Sequence, residues 1–302
     1  MQVSEPYLRN PAFALESLRM PPFPNLVSDS FLITETIKLL QNFGGSASVV
    51  NVVDYVMKIR KPPPELARLL IADIVDGDPR LKLTDDLVEL VAGHSGELRL
   101  SETDFVVFDL ETTGAKCPPC RITEIGAYRV SNGRVAQEFQ TLVNPEMPIP
   151  PFITQLTGIS DSMVANAPKF AEVSDGLLDF IGNSVLVAHN AHFDLRFLNH
   201  EVSRVYGNYR VVNQHLCTVQ LSRRLLPEIP NHRLKTVAEH YEIRLDNHHR
   251  AADDARATAE IFVNLLGELD RRGIADIDGA KKVKLSHSGG KRSNERKTEI
   301  SA

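Results

Sequence analysis

The sequence predicts an α/β protein, a mixed sheet flanked by helices, preceded by a small domain of helices and a hairpin. Three observations predict it. Asp104-Phe105-Val106-Val107-Phe108 is an apolar, β-branched and aromatic run that reads as a buried strand. Two further strand-like segments, 121–130 and 134–143, turn on Ser131-Asn132-Gly133, an Asn-Gly hairpin signal. After this meander, strand and helix patterns alternate along the chain, as a layered α/β fold requires.

At 302 residues the chain has room for one sizeable domain with a small one attached. Hydrophobic content of 42% and charged content of 24% are ordinary for a soluble globular protein. Met1 to Pro24 is proline-rich and lacks the basic start and apolar core of a signal peptide. No apolar run is long enough to cross a bilayer, so no membrane partner is expected. Three cysteines argue against a disulfide framework and for a reducing compartment, here read as cytoplasmic.

In chain order, residues 1–28 are aperiodic and read as an irregular lead-in. Helical periodicity begins at Phe31 and stops at Gly44-Gly45, a C-terminal signal. Ser48 can cap a second helix carrying Val52, Val53, Val56 and Ile59. Lys61-Pro62-Pro63-Pro64 breaks it and starts a third, Glu65 to Val75. Leu81-Lys82-Leu83 and Leu87-Val88-Glu89-Leu90, joined through Thr84-Asp85-Asp86, read as a hairpin. Three helices and a hairpin over residues 29–92 resemble a winged helix-turn-helix, whose functional reading is DNA docking. The third helix carries Arg68 but also Glu65 and Asp73, so a basic face is missing. A protein–protein or packing role stands beside the DNA one.

Residues 93–102 read as a linker, and a second domain spans 103–272. Asp109 and Glu111 continue its first strand at i and i+2, so both carboxylates leave from one face. Two like charges held together cost free energy unless a cation sits between them, and a hard divalent ion, Mg²⁺ or Mn²⁺, binds through oxygen ligands. Taken alone, Asp-x-Glu is more often a strand end with two solvated acids and a threonine turn. Gly114 ends the strand. A proline-punctuated loop at 144–151, a helix around 172–181 and a buried strand at 184–188 follow. After them comes His189-Asn190-Ala191-His192-Phe193-Asp194, in which Asn190 is placed to cap the next helix. A long helix runs from near His249 to Arg271. Residues 273–302 read as a basic disordered tail. Positions 281–302 hold seven Lys/Arg against two acids, a net of +5, while the other 280 residues sum to −10. Such a tail is either a nucleic-acid-contacting arm or a solubilising terminus.

Acids thus end three separate segments: Asp109/Glu111, Asp194, and Asp253/Asp254 beside His248/His249. Together, Phe108-Asp109-Leu110-Glu111-Thr112-Thr113-Gly114, the 189–194 segment and His249-Arg250-Ala251-Ala252-Asp253-Asp254-Ala255 resemble the DnaQ-like DEDDh 3′→5′ exonucleases of ribonuclease H-like fold. Supporting matches are Ile122-Thr123-Glu124-Ile125-Gly126-Ala127, Leu142-Val143-Asn144-Pro145 and Leu156-Thr157-Gly158-Ile159. The family's histidine lies five residues before its aspartate, which selects His249 and Asp254 over His248 and Asp253.

The resemblance implies that Asp109, Glu111, Asp194 and Asp254 hold two divalent ions, Mg²⁺ or Mn²⁺, for in-line phosphodiester hydrolysis. It implies that His249 deprotonates the attacking water. Thr112, Thr113 and Gly114 would surround the terminal nucleotide. Asn190 would reach sugar or phosphate, or simply cap its helix. Leu156 and Ile159 would support terminal bases, or be core. The partner implied is nucleic acid with a single-stranded 3′ end, DNA favoured over RNA, together with a polymerase or repair protein. A non-catalytic nucleic-acid-binding regulator is the rival class, and it predicts loss of one of the four acids or of the histidine. All five are present. Cys117-Pro118-Pro119-Cys120 lacks the further ligand pair that a structural zinc site needs, and reads as a stiffened loop.

Overall fold

The computed structural model describes residues 23–284, apart from 24, 77, 79 and 92–97. The first 22 residues of the expected lead-in, residues 93–97 of the expected linker and residues 285–302 of the basic tail lie outside the described residues. The chain divides into two compact units.

The first unit begins with β1 (Leu26–Ser28), α1 (Phe31–Asn42), β2 (Ser46–Ser48), α2 (Val49–Met57), α3 (Pro64–Asp76), β3 (Leu81–Thr84) and β4 (Leu87–Leu90). Ser30 and Ser48 cap α1 and α2 by accepting the backbone N–H of Ile33 and Asn51. Strands β2, β4 and β3 form an antiparallel sheet in that order. Its core joins Leu40, Val49, Val52, Val53, Ala67, Ile71 and Val88. The third helix leaves Leu66 and Leu69 exposed. This unit also takes in residues 174–182 and 198–212. The lead-in reading fails at 26–28, because β1 pairs antiparallel with β9 (Tyr209–Val211). A three-residue strand has no period of its own, and this one exists only through a partner far along the chain.

The second unit is built on β5 (Phe105–Thr112), β6 (Ile122–Ser131) and β7 (Arg134–Leu142), then α4 (Pro151–Thr157), α5 (Asp161–Val164) and α6 (Phe170–Ile181). After β8 (Val185–Ala188) come α7 (Ala191–Tyr206), β10 (His215–Cys217), α8 (Thr218–Leu225), α9 (Leu234–His240), α10 (Ala251–Arg271) and α11 (Ile277–Lys282); of α6 and α7, residues 174–181 and 198–206 are counted with the first unit. The sheet order is β10-β8-β5-β6-β7. β6 runs antiparallel to its neighbours, and the β10-β8-β5 side is parallel. This is the mixed sheet with flanking helices that the sequence predicts. Asn132 and Gly133, at φ 51° and 70°, make the tight β6–β7 turn. A core of Phe105, Val107, Val130, Val187, Leu221, Phe262 and Leu265 packs sheet against helices, with the Phe105 and Phe262 rings 4.8 Å apart.

Residues 277–282, expected within a disordered tail, are helical and bury Ile277 and Ala280 in that core. Asp276 caps the helix by accepting the Gly279 N–H. The charge of the segment hid two apolar positions three apart, one helical turn. No helix among the described residues is long and apolar enough to cross a membrane.

Candidate active site

Asp109 and Glu111 stand two apart on β5, on one face of the strand. Across the ladder, Gly126 pairs with Asp109 and Glu124 with Glu111. Both β6 residues receive the N-terminus of α10. A Cβ at position 126 would lie 2.3 Å from the Ala251 carbonyl oxygen, so only glycine lets the helix start this close to the strand. The buried Glu124 carboxylate accepts Arg250 Nε at 3.0 Å and Nη2 at 2.7 Å, and also the Ala251 N–H at 2.9 Å. This bidentate clamp fixes the helix start, and with it Asp254 in the first turn. Asp194 enters from the first turn of α7 and accepts the Leu110 backbone N–H, which ties that helix to β5.

Ligand oxygens of Asp109, Glu111 and Asp254 all lie within 4.8 Å of one another. Asp194 adds its charge to both Asp109 and Glu111. Desolvation, followed by the charges of Asp194, Glu111 and Asp254, pushes the Asp109 carboxyl well above the usual range. Desolvation, followed by Asp254 and Glu124, pushes Glu111 up to about 8. Desolvation raises Asp194 to about 8, against the backbone N–H groups that stabilise its anion. Asp254 is raised by desolvation too, with His248 opposing. Four crowded carboxylates with oxygen donors alone suit a hard divalent cation, and the residues present fit one.

Asp254 also organises the histidines. His248 Nδ1 lies 3.2 Å from both carboxylate oxygens, while His249 donates its backbone N–H at 3.1 Å. The two imidazoles stack with centroids 3.9 Å apart. Thus the side chain against Asp254 is that of His248, although spacing singles out His249. A cavity of about 730 Å³ opens on the acids and is lined by Asp109, Asp254, His248 and Asn190.

The exonuclease (RNase T) family model matches residues 106–262, which contain all four acids and both histidines. The chain belongs to the exonuclease family. It is 44% identical over 201 residues to a PolC-type DNA polymerase III from Caldanaerobacter subterraneus, a match covering 67% of this chain and 14% of that polymerase. It is 36% identical over 185 residues to the DNA polymerase III subunit epsilon of Aquifex aeolicus, covering 61% of this chain and 91% of the subunit. Among solved structures, exonuclease X in complex with 5′ overhanging duplex DNA is 27% identical, at a TM-score of 0.46 over 56% of this chain and 93% of that one. The exonuclease motifs are those of the DnaQ-like DEDDh group.

Within the exonuclease domain, the expected substrate residues fare unequally. Thr112 donates its hydroxyl to the Gly114 carbonyl at 2.8 Å. The Thr113 hydroxyl accepts the Arg121 N–H at 3.0 Å and contacts Met147 Sδ at 3.5 Å. Both hydroxyls therefore hold the loop that ends at Gly114. Asn190 is exposed at φ 90°, and its backbone carbonyl takes the Phe193 N–H; the expected side-chain cap is not formed. Ile159 corrects the base-support expectation. It is fully buried against Ile149, Ile153 and Val164, because the segment read as a loop is the end of α4, closed by Gly158, and Ile159 turns inward. Leu156 on α4 is half exposed at 51%, beside exposed Phe152.

Glu124, Gly126 and Arg250 stand within the sequence motifs, where nothing local assigns them a task. Their signal was present, a buried-strand pattern interrupted by an acid and a glycine, but the partner that explains both lies 126 residues away in sequence.

Proposed function

We propose that this chain removes nucleoside monophosphates stepwise from the 3′ end of single-stranded DNA, in proofreading or repair. The observation that carries the proposal is the convergence of Asp109, Glu111, Asp194 and Asp254 from β5, α7 and α10 on one site. Two ions, Mg²⁺ or Mn²⁺, would be held by these four side chains and supply an activated water and charge stabilisation at the leaving 3′ oxygen. The protein's own residues hold the geometry. Glu124 and Arg250 lock Asp254, and the Leu110 N–H orients Asp194. His249 is assigned as general base. It stands immediately ahead of α10 at φ 69°, and desolvation and His248 lower its pKa, keeping the imidazole neutral and able to take a proton. Thr112, Thr113 and Gly114 place the terminal nucleotide through the loop they shape, Leu156 offers an apolar surface to its base, and Asn190 faces the cavity beside the acids.

Similarity to polymerase III proteins supports a polymerase as partner. Residues 29–92 are read as winged-helix-like. The exposed Leu66 and Leu69 on α3, without a basic face, favour a protein contact there over DNA docking.

The test is digestion of 3′- and 5′-labelled single-stranded DNA and RNA of one sequence, with Mg²⁺, Mn²⁺ or chelator, and Asp194→Ala as control. Stepwise loss from the 3′ end of DNA that needs both metal and Asp194 is expected. Faster digestion of RNA would make the protein an end-trimming ribonuclease. No metal-dependent digestion of either strand would overturn the enzyme reading.

A further inference from the structure

The cavity that opens on Asp109 and Asp254 is lined elsewhere by cations. Arg223 stands in the last turn of α8, and Arg233 occupies the N-cap position of α9. His232 also lines the cavity, and burial, followed by the Arg223 charge, lowers its pKa. Glu228 is the acid facing this group, through His232.

Many arginines of this unit are already engaged: Arg250 meets Glu124, Arg256 meets Glu260, Arg244 meets Asp246 and Arg271 meets Glu268, while Arg196, Arg224 and Arg272 donate to backbone carbonyls. Among the described residues, Arg223 and Arg233 make no ion pair, and both are exposed. Their backbone is nonetheless held. The Arg233 N–H donates to the Asn231 side-chain carbonyl at 3.1 Å, and Thr236 donates to the same oxygen at 2.8 Å. Two unpaired guanidinium groups on ordered segments, in the cavity that ends at the acids, are placed for a polyanion. A guanidinium fork matches the non-bridging oxygens of a phosphodiester.

We propose that Arg223 and Arg233 form a phosphate site for the incoming strand, gripping its backbone upstream of the terminal nucleotide. The Thr112–Gly114 loop and Leu156, assigned to the terminal nucleotide, do not line this cavity, whereas Asp109 and Asp254 do. The cavity thus joins the acids and Asn190 to the two arginines, which lie apart from the Thr112–Gly114 loop in sequence and outside its hydrogen bonds. With the carboxylates neutralised, the remaining charge in the cavity is positive, and the strand is drawn toward it. The inference rests on the exonuclease reading and adds which residues hold the substrate beyond the bond that is cut.

The test uses the full chain, with Arg223→Ala, Arg233→Ala and the double variant, on two substrates. One is a single-stranded oligonucleotide. The other is the p-nitrophenyl ester of thymidine 5′-monophosphate, a phosphodiester with no upstream phosphate. The double variant is expected to raise KM for the oligonucleotide about 10-fold, leave kcat within about twofold and leave ester hydrolysis unchanged. The slope of log affinity against log salt should shrink by about 0.7 for each phosphate that is no longer neutralised. Binding of a labelled strand, followed by fluorescence anisotropy with Ca²⁺ in place of Mg²⁺, reads the same grip without turnover and should weaken about 10-fold. An inactive wild-type protein whose binding still weakens in the variants would retire the exonuclease reading and leave the phosphate site standing. Unchanged strand binding and salt slope, or equal loss on ester and oligonucleotide, would overturn the site.

Discussion

Two helices, α3 in the first unit and α10 in the second, owe their starts to different physics. α3 starts on a proline that presets the first-turn backbone, a signal contained in the residues themselves, and it leaves Leu66 and Leu69 exposed. α10 starts on Ala251 with no side-chain cap of its own, because a carboxylate on β6 serves as its anchor, and a glycine on that strand admits it. The helix fixed locally offers a surface. The helix fixed at long range carries Asp254 in its first turn, the acid proposed here as a metal ligand. A catalytic group displaced by about 1 Å costs on the order of 100-fold in rate, so a helix that carries one gains from an anchor outside itself.

The largest effect should come from the acids themselves. Asp194→Ala and Asp254→Ala should each lower kcat by at least about 10³-fold, the upper range for losing one electrostatic group at a reacting centre. Removing one of four repelling carboxylates should leave metal-free stability at alkaline pH unchanged or higher. A variant that is both inactive and unfolded would mean that these acids serve the fold.

Next come the residues that set α10. Gly126→Ala places a methyl against the Ala251 carbonyl and should destabilise by about 1–3 kcal/mol, as overpacking does. Its activity should fall roughly 100-fold through displacement of Asp254. Glu124→Gln keeps the shape and loses the charge on Arg250, and about 10–100-fold in activity is expected, as for partners that orient metal ligands. Near-wild-type rates in both variants would sink the contrast drawn between the two helices, since α10 would then need no external anchor.

A pH and metal titration sharpens the electrostatic side. Glu111 and Asp194 titrate near 8 in the folded chain, against ordinary values of 4.5 and 3.8. A raised folded pKa means the native state binds the proton more tightly than the unfolded chain does. Its stabilisation is complete below about pH 4 and is lost as pH rises toward 8. Tm of chelated protein should therefore fall across that window from these groups. Mg²⁺ at about 100 times its Kd should restore about 2.7 kcal/mol at pH 8. A Tm that ignores Mg²⁺ at pH 8 would count against a cation held by these carboxylates.

The smallest effect tests α3. Leu66→Ser with Leu69→Ser should alter stability by no more than about 0.5 kcal/mol, as exposed substitutions do. Digestion of a short oligonucleotide should be unchanged. A large loss of either would show that these leucines are packed, contrary to their exposure.

The sequence by itself determined the strands with their own period and turns, the Asn-Gly hairpin, the serine cap of α2, and the three acid-bearing motifs. Each of these is written in neighbouring residues, where side-chain alternation, capping and turn chemistry act over a few positions. Family membership was legible for the same reason, since the motifs are short and lie in order along the chain.

Tertiary structure decided what depends on distant partners. It paired β1 with β9, drew Ile277 and Ala280 into the core, and gave Glu124 and Gly126 their task. It also left Arg223 and Arg233 without carboxylates beside the acids. Burial and pairing are sums over neighbours in space, and neighbours brought together from more than 100 residues apart leave no pattern in either segment alone.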